Sequence, residues 1–195
     1  MVKQQRKEVI ITGFGGQGIV LAGKILGMAA VLGDKRQSTL VQSYGPESRG
    51  GACCAQVIIS DDTIQYPYIT CPDILVCMSQ SAFEKYQAQL KPEGVLLTDR
   101  DLVIMDEQKD HFSIPATRIA DDLGRKMMAN IIMIGFTIAI TGLISSNAVR
   151  ESIKSSVPPG TDKLNLKAFS KGFDYGMAKL KGRRKKASGR SGVLI

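Results

Sequence analysis

The sequence predicts an α/β protein in which helices flank a layered sheet and further helices cover it toward the C-terminus. Two observations support this fold class. Short β-branched and apolar runs alternate with helical segments in the first half of the chain, and helical patterns dominate after residue 118. With 195 residues, 44% of them hydrophobic, the chain has enough apolar material for one sizeable core.

The first elements form a βα unit. Residues 9–12 are a β-branched run that stops at a glycine, which predicts a buried strand. A tight glycine loop follows at residues 13–18, and residues 19–32 repeat apolar side chains at helical spacing. Gly33 is predicted to end this helix. A strand, a glycine loop and a helix in this order predict a Rossmann-like first βα unit.

The remaining elements follow from short runs bounded by turn residues. Strands are predicted at residues 39–42, 52–60, 74–78, 95–98 and 114–117. Helices are predicted at residues 79–90, 118–123, 126–145, 148–155 and 164–180. Ser79 is the predicted N-cap of the first of these helices. Pro67 and Pro72 limit residues 64–69 to a short exposed segment.

The positive charge of the chain is concentrated at its end. From Lys179 onward the sequence has seven cations and no acid, and subtracting these from the net charge of +8 leaves +1 for residues 1–178. A body this close to neutral does not favour a nucleic-acid-binding function. We therefore predict a domain over residues 1–180 and a basic, disordered tail over residues 181–195. The alternative is that the tail docks onto an acidic partner or nucleic acid.

One segment is apolar enough to be considered as a membrane helix. Residues 127–149 carry no charge, but their densely apolar part, residues 131–144, is only 14 residues long. A membrane span needs about 20 predominantly apolar residues. This segment therefore predicts a buried core or interface helix and no membrane span. The charged start does not resemble a signal peptide, and four cysteines without paired spacing favour a reducing cytoplasm.

The glycine loop is the first candidate binding site. Gly13-Phe14-Gly15-Gly16-Gln17-Gly18 satisfies G-x-G-x-x-G between a predicted strand and helix, where backbone amides can approach an anion. This suggests a nucleotide-binding oxidoreductase as one hypothesis. The acid that should contact a ribose is missing, because Asp34 precedes the second strand and Ser43-Tyr44 ends it. The structural alternative is that the glycines only permit close packing.

A second distinctive loop spans residues 42–51. Gly45-Pro46 and Gly50-Gly51 bracket a turn with Glu47, Ser48 and Arg49 at its tip. An arginine in such a loop can hold a carboxylate or phosphate through two hydrogen bonds. The alternative is an Arg49–Glu47 ion pair that stiffens an exposed turn.

The two loops together resemble the gamma-subunit domain of 2-oxoacid:ferredoxin oxidoreductases. Gly13 to Gly18 is followed by Ser43-Tyr44-Gly45-Pro46-Glu47-Ser48-Arg49-Gly50-Gly51, a combination that is highly specific. The resemblance covers residues 8–177 and continues at scattered positions: Pro72-Asp73, Asn130, Gly135, Asn165, Ala168, Phe169 and Gly172. The amino-acid sequence of the second loop is most similar to that of 2-oxoglutarate enzymes, although pyruvate, branched-chain 2-oxoacid and indolepyruvate relatives share nearly the same pattern.

This resemblance implies a subunit of a larger enzyme. Such complexes decarboxylate a 2-oxoacid on thiamine diphosphate with magnesium, pass electrons through iron–sulfur clusters to ferredoxin, and form an acyl-CoA. The implied partners are thiamine-binding and ferredoxin-like chains, with coenzyme A and ferredoxin reached through the complex. The residues implied to shape the coenzyme A region lie in the two loops: Gly13, Gly15, Gly16, Gln17, Gly18, Ser43, Tyr44, Glu47, Ser48 and Arg49.

The chain itself offers little chemistry, so we expect it to hold no cofactor and to be inactive alone. It has no Gly-Asp-Gly segment for thiamine diphosphate and no C-x₂-C-x₂-C run for a cluster. Cys53 and Cys54 are adjacent on a predicted strand and should point to opposite faces as small core residues. His111 is expected to be exposed, and Asp121-Asp122 to lie on a solvated helix face. We predict no catalytic residue and no metal ligand.

Overall fold

The structure, a computed structural model, describes residues 6–44, 52–105 and 110–190. Within these residues, six strands form one sheet in the order β2-β3-β1-β4-β5-β6. The strands are β1 Lys7–Phe14, β2 Gln37–Tyr44, β3 Ala52–Ser60, β4 Ile74–Cys77, β5 Val95–Asp99 and β6 Phe112–Ile114. The predicted α/β class is confirmed, and the prolines keep the segment between β3 and β4 free of regular structure.

In the part of the chain that the structure describes, six α-helices accompany the sheet. They are α1 Ile19–Met28, α2 Gln80–Tyr86, α3 Ala116–Asp122, α4 Ala129–Thr141, α5 Ser146–Ser156 and α6 Asp162–Arg190. A π-helical turn, Ala29–Gly33, continues α1. Ser79 caps α2 as predicted, since its hydroxyl accepts a hydrogen bond from the amide of Ala82 at 3.3 Å. Among the described residues, no helix is long and apolar enough to cross a membrane.

The sheet is mixed. The chain resembles a Rossmann unit over β1, the glycine loop and α1, and its topology differs after that. β1, β4, β5 and β6 run parallel, whereas β3 pairs with β1 in the antiparallel sense and β2 pairs with β3, also in the antiparallel sense. The ends of β1 and β2 and the start of β3 therefore lie at one edge of the sheet. We call this edge, which also contains the ends of β4, β5 and β6, the carboxyl edge, and the opposite one the amino edge.

Two apolar layers cover the sheet. The larger cluster joins one face of the sheet to α1, α4, α5 and α6, and the smaller packs α2 and the segments around residues 64–69 and 103–105 on the other face. Cys53 belongs to the first cluster and Cys54 to the second, which confirms that they point to opposite faces. The predicted C-terminal helical cover is present.

Helix α4 is buried on nearly every side, which identifies the uncharged segment as a core helix. It packs on α6 at glycines. A Cβ atom added to Gly135 would lie 2.9 Å from the amide nitrogen of Phe173, and one added to Gly172 would lie 2.8 Å from the carbonyl carbon of Ile132. The two backbones thus approach more closely than any side chain would permit.

Several element boundaries differ from the prediction. Gly33 does not end α1 through a left-handed conformation; the left-handed residue is Lys35, with φ 59°. Gly33 instead leaves room for Ala148 of α5. Pro115 precedes the first turn of α3, so β6 ends at Ile114 and the helix begins earlier than predicted. Helix α6 continues past Leu180 to Arg190.

Candidate functional site

The two loops singled out in the sequence leave the sheet at the same edge. Gly13 of β1 and Tyr44 of β2 both pair with Cys53 of β3, one from each side. Their backbones are therefore about 10 Å apart, two strand spacings. Residues 45–51, including Glu47, Ser48 and Arg49, lie outside the described residues. The strands that bracket this loop nevertheless begin and end beside the glycine loop.

The glycine loop is held in place by the side chain of Gln17. Its Oε1 accepts a hydrogen bond from the amide of Phe14 at 2.6 Å, and its Nε2 donates to the carbonyl of Met78 at 2.9 Å. These contacts join the end of β1 to the end of β4. A Cβ atom at Gly13 would collide with the Gln17 side chain, which explains why glycine stands there. The Gln17 side chain therefore links the ends of two neighbouring strands, a role that we call a pin.

Gly18 provides the passage from the loop into α1. It has φ 72°, a left-handed conformation that favours glycine, and an added Cβ atom would strike the side chain of Asn130. Asn130 is buried, and its Nδ2 donates to the Gly18 carbonyl at 3.0 Å. Gly16 is also left-handed, with φ 96°, but a Cβ atom there would meet open space. Gly15 and Gly16 are exposed to an approaching ligand.

Helix α1 begins in a way that suits a negative charge. Gly18 offers no side-chain cap, and the first turn contains no acidic residue. The partial positive charge of the helix N-terminus is therefore not neutralised by the protein itself. This arrangement is compatible with the interpretation that the glycine loop binds an anion, without specifying which anion.

A cavity of about 400 Å³ lies beside the loop. Gly16 and Gly18 form one wall, and Arg125 and Lys126, which precede α4, form another. Asn130 of α4 and Asn165 of α6 also line it, although they are far apart in sequence. Arg125 and Lys126 were not predicted as site residues, because two adjacent charges before a helix do not by themselves indicate a binding site.

Large apolar side chains are exposed around the same edge. Phe14 is 41% exposed, Tyr44 65%, Ile104 84% and Met127 79%. Phe14 and Tyr44 are the last residues of β1 and β2, and Met127 lines the cavity. The amide of Ile104 donates a hydrogen bond to the side chain of Gln80 at the start of α2. Aromatic residues and methionine are enriched in protein interfaces. The carboxyl edge therefore has the composition of a subunit contact surface.

The cysteines beneath this edge behave as core residues. Burial raises the pKa of Cys77 to about 12, and burial also raises the pKa values of Cys53 and Cys54. The neighbouring Tyr86 hydroxyl has a pKa raised to about 12, mainly by burial and then by Cys54. Thiols in this state are protonated at neutral pH and are weak nucleophiles.

Other candidate groups serve the fold. Asp99 ends β5, and its carboxylate accepts hydrogen bonds from the amide of Thr117 at 3.0 Å and its hydroxyl at 2.6 Å, which caps α3. Burial raises the pKa of Asp99. His111 is half-buried rather than exposed as expected. Asp121 lies 3.9 Å from Lys126, and the described part of the chain contains no group of three His, Cys, Asp or Glu that could hold a metal ion.

The topology argues against a dinucleotide enzyme. Asp34 lies outside the carboxyl edge, and its carboxylate accepts hydrogen bonds from the amide and the hydroxyl of Ser145 at 2.8 and 2.5 Å. The strand that should carry a ribose-binding acid next to β1 is replaced by the antiparallel β3. The protein is therefore a mixed α/β domain with two glycine-containing loops at one edge of its sheet. The exposed apolar side chains at that edge place it in the class of domains that function as subunits of a larger assembly.

The comparisons with known proteins identify the family. A family model described as pyruvate ferredoxin/flavodoxin oxidoreductase matches residues 8–175, and the chain belongs to this family. It is 47% identical to the 2-oxoglutarate synthase subunit KorC of Methanocaldococcus jannaschii over 176 residues, which cover 88% of this chain and 94% of the relative. A KorC subunit of Methanothermobacter marburgensis is 48% identical, with 86% and 95% covered.

A solved structure shows the same fold. The gamma subunit of a keto/oxoacid ferredoxin oxidoreductase from Geobacter sulfurreducens superimposes with a TM-score of 0.78 at 39% identity, and the match covers 88% of this chain and 99% of that one. The similarity extends over nearly the whole of both molecules. The expected resemblance to a gamma-subunit domain is thereby confirmed.

Proposed function

We propose that this chain is the gamma subunit of a 2-oxoglutarate:ferredoxin oxidoreductase. The observation that carries the proposal is its near-full-length identity of 47% to a 2-oxoglutarate synthase subunit. The complex would decarboxylate 2-oxoglutarate, transfer the succinyl group to coenzyme A and pass two electrons to ferredoxin. A ketoisovalerate oxidoreductase subunit of Methanothermobacter marburgensis is more distant at 32% identity. This ranking favours 2-oxoglutarate over branched-chain substrates.

The gamma chain would contribute binding and assembly rather than redox chemistry. Thiamine diphosphate with magnesium and the iron–sulfur clusters belong, in this proposal, to the partner chains. The described residues do not bring together a metal-ligating group that fits thiamine diphosphate and its ion. The cysteines Cys53, Cys54, Cys71 and Cys77 are free, which fits a reducing cytoplasm.

The carboxyl edge fits coenzyme A, which supplies the thiol that accepts the acyl group. Its phosphates are anions, and the edge offers the uncapped start of α1, the exposed Gly15 and Gly16, and the cations Arg125 and Lys126. Arg49, with Glu47 and Ser48, belongs to the loop between β2 and β3, whose ends lie at this edge. We propose that Ser43, Tyr44 and this loop face the partner subunits at the mouth of the active site.

The assignment can be tested by anaerobic affinity purification of the tagged chain from its own cells. We expect thiamine-binding and cluster-binding chains to co-purify and the preparation to reduce a viologen dye when 2-oxoglutarate and coenzyme A are both present. A preference for pyruvate or a branched-chain oxoacid would correct the substrate alone. A chain that purifies alone and binds a dinucleotide would overturn the whole assignment.

The site can be tested separately in the assembled complex. Lys126→Gln should raise the KM for coenzyme A by about fivefold, the effect of losing one charged contact at a partly exposed site. Arg49→Ala should raise the same KM or lower kcat. Lys171→Gln, which removes an exposed lysine from α6, should change neither. Normal kinetics in both site variants would exclude these residues from the coenzyme A region.

A further inference from the structure

The cavity beside the glycine loop lies where three helices begin. Its walls come from the starts of α1, α4 and α6 and include the apolar side chains of Leu21, Met128 and Val157. Its volume of about 400 Å³ falls within the range of small-molecule sites, roughly 300–1,000 Å³. The proposed function uses the cations and the glycine loop around this cavity for phosphates, and it leaves the interior of the cavity unexplained.

Two of the three helix starts give the cavity a positive character. Helices α1 and α4 have no acidic residue in their first turns, whereas α6 begins with Asp162. Arg125 lines the cavity just before α4, and the charge of its neighbour Lys126 is shared with Asp121, 3.9 Å away. The starts of α1 and α4, together with Arg125, therefore favour an anionic group on this side of the cavity.

Two asparagines line the cavity, and they differ in the hydrogen bonds that they make. Asn130 uses both ends of its amide, since Nδ2 donates to the Gly18 carbonyl at 3.0 Å and Oδ1 accepts from the amide of Ile131 at 2.8 Å. Asn165 is only 8% exposed, and its Nδ2 donates to the carbonyl and the hydroxyl of Thr161 at 2.9 and 3.2 Å. None of the residues that the structure describes donates to its Oδ1.

The bonds to Thr161 also determine which atom of Asn165 is left for a ligand. Only the amide nitrogen can donate to a carbonyl, so the oxygen Oδ1 is the atom without a partner. Little water reaches a side chain this buried, and a ligand with an N–H group would supply the missing hydrogen bond. The cavity therefore suits a ligand that combines an anionic group, a hydrogen-bond donor and apolar surface.

We propose that the cavity binds the phosphopantetheine arm of coenzyme A and that Oδ1 of Asn165 accepts a hydrogen bond from an amide N–H of that arm. The inference rests on the proposed function, which supplies coenzyme A and 2-oxoglutarate as candidate ligands. At neutral pH the carboxylates of 2-oxoglutarate are ionised, so this oxoacid offers only acceptors and would leave Oδ1 unpaired. The arm carries amide N–H groups between apolar segments and ends in a phosphate.

The arm suits the cavity better than the adenosine half of the coenzyme does. Adenine also has an N–H donor, but a flat base gains most of its affinity by stacking on aromatic side chains. Among the described residues that line the cavity, none is aromatic. Leu21, Met128, Ile131 and Val157 are aliphatic or thioether side chains, which pack well against a flexible chain of methylene groups.

The test measures inhibition of the assembled complex by the two halves of the coenzyme. The probes are S-methyl-4′-phosphopantetheine, whose blocked thiol cannot accept an acyl group, and adenosine 3′,5′-bisphosphate. In Asn165→Ala the Ki of the first probe should rise about tenfold, the effect of losing one buried hydrogen bond, while the Ki of the second and the KM for 2-oxoglutarate stay unchanged. Ser152→Ala is the matched control, because it removes a buried hydrogen bond to the Ile25 carbonyl away from the cavity, and it should change none of these values.

An equal rise in both Ki values, or no rise in either, would overturn the role of Asn165 while leaving the proposed function intact. A selective rise for adenosine 3′,5′-bisphosphate would assign the cavity to the nucleotide half instead. The wild-type complex gives a check that needs no variant, since a phosphopantetheine probe that does not compete with coenzyme A would also overturn the proposal. A complex without coenzyme A-dependent activity would contradict the proposed function itself, and the co-purification experiment identifies that failure independently.

Discussion

At the scale of single residues, the glycine loop depends on two side chains that hold its backbone in place. Gln17 connects the ends of β1 and β4, and Asn130 reaches from α4 to the carbonyl of Gly18. The loop is therefore shaped before any partner or cofactor arrives. Pre-organisation of this kind lowers the entropy lost when a ligand binds.

The contribution of Gln17 can be measured by its removal. Gln17→Ala leaves the amide of Phe14 and the carbonyl of Met78 without their present partner, and this should lower the free energy of unfolding by about 1–3 kcal/mol. Gln37→Ala, at an exposed position of β2, should change it by less than about 0.5 kcal/mol. Urea unfolding of both variants measures the difference, and equal effects would contradict the role of Gln17 as a pin.

Two left-handed glycines allow a second comparison. Gly16→Ala and Gly18→Ala both impose a positive φ on a residue with a Cβ atom, which costs roughly 1–2 kcal/mol. Only the alanine at position 18 also strikes Asn130, so Gly18→Ala should be the more destabilising. Thermal unfolding ranks the two variants. A larger effect at Gly16 would show that the Asn130 contact does not constrain the loop.

The thiols make a prediction about pH. Burial raises the pKa of Cys77 to about 12 in the folded chain, whereas the thiol of an unfolded chain has its ordinary pKa of 9.0. The unfolded state therefore binds fewer protons above that value, and stability should fall as the pH rises from about 9 to about 12, the range between the two pKa values. Unfolding of wild type and Cys77→Ala at several pH values tests this, since the variant should lose part of the slope. Identical slopes would contradict the burial of this thiol.

At the scale of elements, the crossing of α4 and α6 determines how the helical cover sits on the sheet. Gly172 and Gly135 let the two helix backbones meet directly, and neither position has space for a methyl group. Glycine costs helix stability in isolation. Its presence at the contact indicates that close packing outweighs helix propensity here.

This crossing predicts opposite effects for one substitution at two sites of α6. Gly172→Ala should destabilise the chain by about 2 kcal/mol or more, because the helices must separate. Gly182→Ala, where a Cβ atom meets nothing within 4 Å, should stabilise the chain by up to about 1 kcal/mol. Circular dichroism during thermal unfolding measures both. Similar shifts in Tm would mean that the crossing tolerates a wider separation.

The sequence predicted these elements unevenly. Strand β3 was predicted at its observed bounds because a β-branched and small-residue run ends at a turn signal, Asp61-Asp62. The sheet order could not be predicted, because the insertion of the β2–β3 hairpin beside β1 depends on tertiary pairing. The same holds for the site. Local motifs located its loops, but the cavity combines Gly18 with Asn130, which are 112 residues apart.

At the scale of the whole molecule, the exposed contact features gather at the carboxyl edge. This edge combines the glycine loop, the cations Arg125 and Lys126 and exposed apolar side chains. Behind it lies a core in which the buried thiols and Asp99 serve packing and capping. This distribution suits a gamma subunit, which meets its neighbours through one edge and keeps its buried polar groups for the fold.

Reconstitution tests this account most directly. The complex is prepared without its gamma subunit, and 2-oxoglutarate- and coenzyme A-dependent viologen reduction is measured before and after purified chain is added. The account predicts that activity is low without the chain, rises on addition and saturates at one gamma chain for each thiamine-binding site, while the chain alone stays inactive. Full activity of the gamma-free complex, or activity of the isolated chain, would contradict it.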